Sequence, residues 1–263
     1  MELELAGRSA FITGANRGIG EVFAHAFANE GINLALFGRN VAGCEKVAAA
    51  IRARHPKLKV EAVKLDFEFP KSIRPAVTDA AERLGAVDIL INCAGGAVRG
   101  RLDDIPDEAW ETYFAVKPLG LIRMTRETVP YLKKSDQARV INISGTRGRE
   151  PEPFSAMAGP INFGTLSSTK VFANEFGPYG ITVNAICPGS TKTRRWDELV
   201  DMTMKDQGLS EEDATRALLA EVPLRKVVMP EDIASLAVFL ASARAGLISG
   251  CAINVDGGRT RSI

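Results

Sequence analysis

A glycine-rich turn between an apolar run and a helical pattern constrains this chain more than any other feature. Ser9 to Thr13 (SAFIT) ends in Gly14-Ala15-Asn16-Arg17-Gly18-Ile19-Gly20, and Phe23, Phe27 and Ala28 then recur at helical spacing up to a stop at Gly31. Strand, glycine turn and helix in that order set backbone N–H groups and a helix N-terminus against a phosphate. The flanking elements matter as much as the glycines, because the motif without them carries little weight.

The same alternation continues to the end. Strands are expected at Asn33–Phe37, Val60–Leu65, Asp88–Ile91, Arg139–Ile143, Thr182–Ile186 and Ala252–Val255. Helices are expected at Ala42–Arg54, Lys71–Leu84, Pro160–Phe176 and Pro230–Ala241. Trp110–Val116 and Leu119–Leu132 read as one helix interrupted near Pro118. Residues 190–225 are charged, helical and less regular, with Ser210 and Asp213 spaced as a helix cap. No repeat or linker breaks the pattern. The expectation is an α/β fold, a single Rossmann-type doubly wound domain over 1–263, whose seven-stranded parallel sheet is flanked by helices.

The end of the second strand bears on the nucleotide. An NAD-preferring fold places an acidic residue there for the ribose 2′-OH, whereas this chain has Gly38 followed by Arg39, which suits a 2′-phosphate. NAD or NADP is therefore expected, with a slight lean to NADP.

Composition removes several other classes. The 263 residues carry a formal net charge of +1, which favours neither nucleic acid nor an anionic membrane. Cys44, Cys93, Cys187 and Cys251 are scattered and only His25 and His55 are present, so no metal site is expected. Free thiols at such spacing fit a reducing cytoplasm. The opening MELELAGRSAFITG has no apolar leader core, and no run of about 18 apolar residues occurs, so neither signal peptide nor membrane span is expected.

With these motifs in place the chain resembles the short-chain dehydrogenase/reductase superfamily over nearly its whole length, in a ketoacyl-reductase-like branch. TGANRGIG (Thr13–Gly20), LDF (Leu65–Phe67), NCAG (Asn92–Gly95), PGSTKT (Pro188–Thr193) and the closing VDGG carry the likeness. The resemblance implies nucleotide contacts from Gly14, Asn16, Arg17, Gly18, Ile19, Gly20, Arg39, Asp66, Phe67, Asn92, Ala94, Gly95, Pro188, Gly189, Thr191 and Thr193. It also implies dimers or tetramers, and a substrate lid over 190–225.

The family's chemistry uses a serine, a tyrosine and a lysine with a supporting asparagine. The serine holds the substrate oxygen, the tyrosine moves the proton, and the lysine lowers the tyrosine's pKa and holds the nicotinamide ribose. Counting back from Gly180-Ile181-Thr182-Val183-Asn184 puts Gly145 in the serine position, Ala158 in the tyrosine position and Asn162 in the lysine position. Lys117 falls in the asparagine position. A second register, with Phe154 and Ala158 as the tyrosine and lysine positions, also lacks both groups. Ser144 precedes the serine position and reads as a strand-end hydroxyl bonded to backbone. Cys93 reads as a buried thiol.

The expectation is a pseudoenzyme: no residue in the standard catalytic positions, and a non-catalytic subunit of a heteromeric NAD(P)-dependent alcohol or hydroxyacyl-thioester dehydrogenase, paired with an active paralogue. One alternative relocates the chemistry to Lys117, Lys192 or the loop acids Glu150 and Glu152, beside Arg147 and Arg149. Another is a nucleotide-binding regulator without turnover. In the lid, Trp196, Leu199, Met202 and Met204 divide between helix packing and a hydrophobic substrate surface.

Overall fold

The computed structural model describes residues 2–262. Seven strands form one sheet in the order β3-β2-β1-β4-β5-β6-β7: β1 (Ser9–Thr13), β2 (Asn33–Gly38), β3 (Val60–Lys64), β4 (Ile89–Asn92), β5 (Arg139–Ile143), β6 (Thr182–Pro188) and β7 (Ala252–Val255). Every pairing is parallel. All residues of β1, β4 and β5 are buried. Their near-continuous apolar runs are what a sheet covered on both faces requires.

The helices are α1 (Gly18–Asn29), α2 (Val41–Arg54), α3 (Ile73–Leu84), α4 (Asp107–Val116), α5 (Pro118–Leu132), α6 (Ala158–Phe176), α7 (Arg194–Gln207), α8 (Glu211–Leu218) and α9 (Pro230–Ala241). One apolar layer joins Ile12 and Ile89 of the sheet to Phe23 and Phe27 of α1 and Ile233 of α9. The other joins Phe11, Phe37 and Val140 to Val77 of α3, Met124 of α5 and Ala173 of α6. Each fully buried Phe contributes roughly 1.5–3 kcal/mol relative to exposure.

Two boundaries differ from expectation for local reasons. α6 begins at Ala158 rather than Pro160. Proline without its N–H is tolerated in a first helical turn, where that group has no partner in any case. The interruption near Pro118 is a true break: α4 ends at Val116, Lys117 has φ −94° and ψ −74°, and Pro118 starts α5. Proline cannot donate back into the preceding turn, so the chain bends there and leaves Lys117 at the bend.

The segment expected to be a substrate lid folds as α7 and α8, joined through Gly208 at φ +65°. Ser210 caps α8, its Oγ accepting from Asp213 N at 3.1 Å. Trp196 is buried with Val200, Ala214, Leu219 and Val222, so it packs a small core within this segment. Leu199 and Met204 pack against that core, while Met202 is exposed.

Candidate functional site

The strand order reverses around β1, which lies between β2 and β4, and a crevice opens at such a switch point outside the carboxyl ends of the strands. Thr13 ties its two sides: its Oγ1 accepts from Cys93 N and Ala94 N, both at 3.0 Å. Gly14 sits at φ +70°, and a Cβ there would stand 2.9 Å from Ala94 Cα. On Gly20 a Cβ would lie 2.2 Å from Gly14 O, so α1 presses directly onto the turn. Arg17 at the N-cap supplies no side-chain bond to the first turn of α1. A close-set turn whose opening N–H groups have no side-chain cap fits a phosphate. The far wall comes near as well, Thr193 Cγ2 being 4.0 Å from where a Gly18 Cβ would be.

The other expected nucleotide positions divide. Arg39, at the end of β2, is exposed and its Nη1 pairs with Glu68 Oε1 at 2.7 Å. Asp66 Oδ1 accepts from Glu68 N at 3.0 Å, which shapes the loop after β3. Phe67 is buried, its ring 2.8 Å from where a Cβ on Gly120 would stand, so its side chain serves the α5 packing. Asn92 is also turned inward, donating to Thr125 Oγ1 at 3.1 Å and Asn142 Oδ1 at 2.9 Å. After β6, Thr191 Oγ1 bonds Gly189 O at 3.0 Å, and Gly189 is closed in by Asp256.

At the centre, Lys117, Gly145 and Asn162 come together, while Ala158 opens α6 one turn before Asn162. Lys117 Nζ donates to Asn162 Oδ1 at 2.7 Å and to Ser144 O at 2.9 Å. A Cβ on Gly145 would stand 2.9 Å from Asn162 Nδ2, so the amide fills the space beside the missing serine side chain. Ser144 Oγ bonds Asn162 O at 3.0 Å, the backbone role expected of it. The ammonium comes from the α4–α5 bend and the amide from α6. Lys117 keeps part of its surface, but its ammonium end is enclosed. Burial, with a smaller contribution from the Arg195 charge, lowers its pKa to about 8. Burial likewise pushes the Cys93 thiol up to about 12, disfavouring the thiolate.

The remaining charged candidates lie at the rim. Lys192 is exposed and paired with Asp197 at 2.6 Å. Arg149 bonds Ala252 O at 2.9 Å. Arg147 pairs with Glu152, which also takes Arg259 at 3.1 Å, and Arg259 reaches Glu221 at 3.0 Å. Burial and the neighbouring Arg259 and Arg99 lower the Arg147 pKa to about 10. Glu150 is tied up by the C-terminal segment, its Oε1 accepting from Arg261 N at 2.7 Å.

One side chain escaped the sequence reading. Tyr113 on α4 lies against the loop after β4, its Cε1 3.2 Å from where a Cβ on Gly96 would stand. Its spacing of four residues from Lys117 was the available signal.

The sequence profile of the enoyl-(acyl carrier protein) reductase family matches residues 14–260. The D-beta-hydroxybutyrate dehydrogenase of Cupriavidus necator is 32% identical over 255 residues, covering 97% of this chain and 98% of that one. The NADPH-dependent reductase BacG of Bacillus subtilis is 29% identical over 259 residues, covering 98% and 100%. The crystal structure of L-sorbose reductase from Gluconobacter frateurii with NADPH and L-sorbose superposes with a TM-score of 0.94 at 27% identity, covering 100% of both chains. The fold and the strand-end crevice define a Rossmann-type nucleotide-binding protein. With these relatives, the chain belongs to the short-chain dehydrogenase/reductase superfamily.

Proposed function

We propose that this protein is an NADP(H)-leaning oxidoreductase that interconverts a carbonyl and an alcohol, with its proton chemistry moved from α6 to the Lys117 bend. One observation carries this reading: a lysine ammonium stands at the strand-end centre, 2.7 Å from the amide oxygen in the family's lysine position. The reductase and dehydrogenase names of the relatives support it, and BacG and the L-sorbose reductase complex support NADPH. A bound NADP would lie over the Gly14–Gly20 turn, with Arg39 toward its 2′-phosphate and the 188–193 loop on its far side. The nucleotide supplies the hydride, and the residues of this chain orient it and handle the proton. Assembly as a dimer or tetramer and residence in the cytoplasm complete the reading. Among the described residues no helix is long and apolar enough to cross a membrane.

The test is calorimetric titration with NADP⁺ and NAD⁺, followed by turnover assays of the wild type, Lys117→Ala and Lys192→Ala. Loss of turnover in Lys117→Ala alone, with nucleotide binding kept, is the expected result. Equal activity in all three sinks the assignment.

The loss of both hydroxyls, at Gly145 and Ala158, favours a second reading: a non-catalytic subunit paired with an active paralogue. General acid–base catalysis contributes roughly 10²–10⁴ in rate, and one lost oxyanion-type donor costs roughly 10²–10³. Co-purification from the native source separates the readings, since a lone homomer with robust turnover excludes the second.

A further inference from the structure

Three tyrosines occur in the chain, and their surroundings differ sharply. Tyr131 gives its hydroxyl to Thr78 Oγ1 at 3.3 Å, on the α3–α5 side of the sheet. Tyr179 follows α6 and stacks its ring under Lys133 Nζ, 3.5 Å from the centroid. Only Tyr113 belongs to the strand-end side.

Tyr113 and Lys117 are four residues apart, and Lys117 N donates to Tyr113 O at 3.0 Å, so the helical turn between them is intact up to the bend. Side chains at that spacing leave a helix on one face. Both lean on the loop after β4 at adjacent residues: a Cβ on Gly95 would stand 2.8 Å from Lys117 Cδ, and one on Gly96 3.2 Å from Tyr113 Cε1. The loop continues through Ala97, which accepts from Arg195 of α7, and Val98, whose N–H meets Met157 Sδ at 3.3 Å. Met157 directly precedes Ala158 and shares one apolar cluster with Tyr113 and Trp110. The Tyr113 ring on α4 therefore packs, with Trp110, between the loop after β4 and the start of α6.

We propose that Tyr113 is the acid–base residue of this site and works with Lys117 as a tyrosine–lysine pair carried on α4 and its bend instead of on α6. In the reductive direction the substrate carbon takes hydride from the reduced nicotinamide nucleotide, and the C=O π pair moves to oxygen. That oxygen takes the proton of the Tyr113 hydroxyl, leaving a phenolate on α4 one helical turn before Lys117. Solvent returns the proton. Oxidation of the alcohol runs the same transfers in reverse, so atoms and charge balance in both directions. Lys117 in turn is held by Asn162 and the Ser144 carbonyl, which makes Asn162 a positioning residue.

This inference rests on the reading of the crevice as a carbonyl–alcohol site, and the experiment separates the two. Tyr113→Phe and wild type are compared by NADP⁺ calorimetry, by turnover of L-sorbose, acetoacetate and D-3-hydroxybutyrate across pH, and by the crystal structure of the NADP⁺ complex. The expected result is unchanged NADP⁺ affinity, kcat lower by roughly 10²–10⁴ with KM little changed, and the Tyr113 hydroxyl on the substrate side of the nicotinamide ring. Active wild type with an equally active Tyr113→Phe overturns the pair while leaving the carbonyl–alcohol reading standing. A nucleotide-bound wild type without turnover overturns both. A complex in which the hydroxyl points away from the ring overturns the pair whatever the substrate.

Discussion

Lys117 Nζ stands 2.7 Å from Asn162 Oδ1, so the bend before α5 and the first turns of α6 meet through one buried polar bond. The bond holds a cation at the centre, delivered from the bend. Evidence for function therefore lies in the pairing of these positions more than in either residue alone.

The enclosed ammonium makes stability depend on pH. In the folded protein Lys117 has a pKa lowered to about 8, chiefly by burial, whereas an unfolded lysine titrates near 10.4. Between those values the unfolded chain binds the extra proton, so unfolding becomes harder as pH rises. Below about pH 8 both states are protonated and the penalty of burying the charge is fully present. Urea midpoints of wild type and Lys117→Met at pH 7, 8, 9 and 10 should show the wild type gaining on the variant over the upper range. A constant difference across all four values would contradict the buried charge.

A side chain at Gly145 would compete with Asn162 for space. A Cβ on Gly145 would stand 2.9 Å from Asn162 Nδ2, tighter than side chains tolerate. Gly145→Ser should destabilise by roughly 1–3 kcal/mol through overpacking. Asn162→Ala in the same chain should recover much of that loss. A double-mutant cycle showing additive effects would mean that the two side chains do not compete for this space.

At the head of the nucleotide crevice, Gly14 combines φ +70° with a close approach of 2.9 Å to the Ala94 backbone. Gly14→Ala should cost on the order of 1–3 kcal/mol from backbone strain and abolish measurable NADP⁺ binding. Thermal unfolding with and without NADP⁺ checks both, and a variant still stabilised by the nucleotide would exclude this turn as the cradle.

Arg39 spends its guanidinium on Glu68, with the pair at 2.7 Å and the arginine side chain 63% exposed. An exposed pair of this kind is weak, roughly 0–1 kcal/mol, and is easily given up for a phosphate. Glu68→Gln should tighten NADP⁺ by a few-fold and leave NAD⁺ unchanged, whereas Arg39→Ala should weaken NADP⁺ alone by about tenfold. Equal effects on both nucleotides would remove Arg39 from the 2′-phosphate.

Much of the scaffold could be read from local sequence because its signals are local. The Gly14–Gly20 turn, the strand runs and the Ser210 cap each occupy a few consecutive residues, and the structure follows them closely. The centre was legible only as separate losses. Gly145, Ala158, Asn162 and Lys117 could be counted into place, but the bond between the last two needs α5 packed on α6. Phe67 and Asn92 show what motif membership leaves out: packing against Gly120 and Thr125 turns both side chains inward. Tyr113 lies on α4, and its place beside the loop after β4 depends on tertiary packing that no local pattern signals. The bridge from Arg147 through Glu152 to Arg259 joins residues more than a hundred positions apart, beyond any local pattern.

That bridge also sets a timetable for the newborn chain. Strand β7 pairs only with β6, and Arg259 and Arg261 then secure Glu152, Glu221 and Glu150 around the loop that follows β5. These anchors come after all seven strands in chain order, so the wall of the crevice cannot be completed until residues 259–261 have been made. Removal of the final five residues should leave the first six strands intact and the 146–152 loop unfastened.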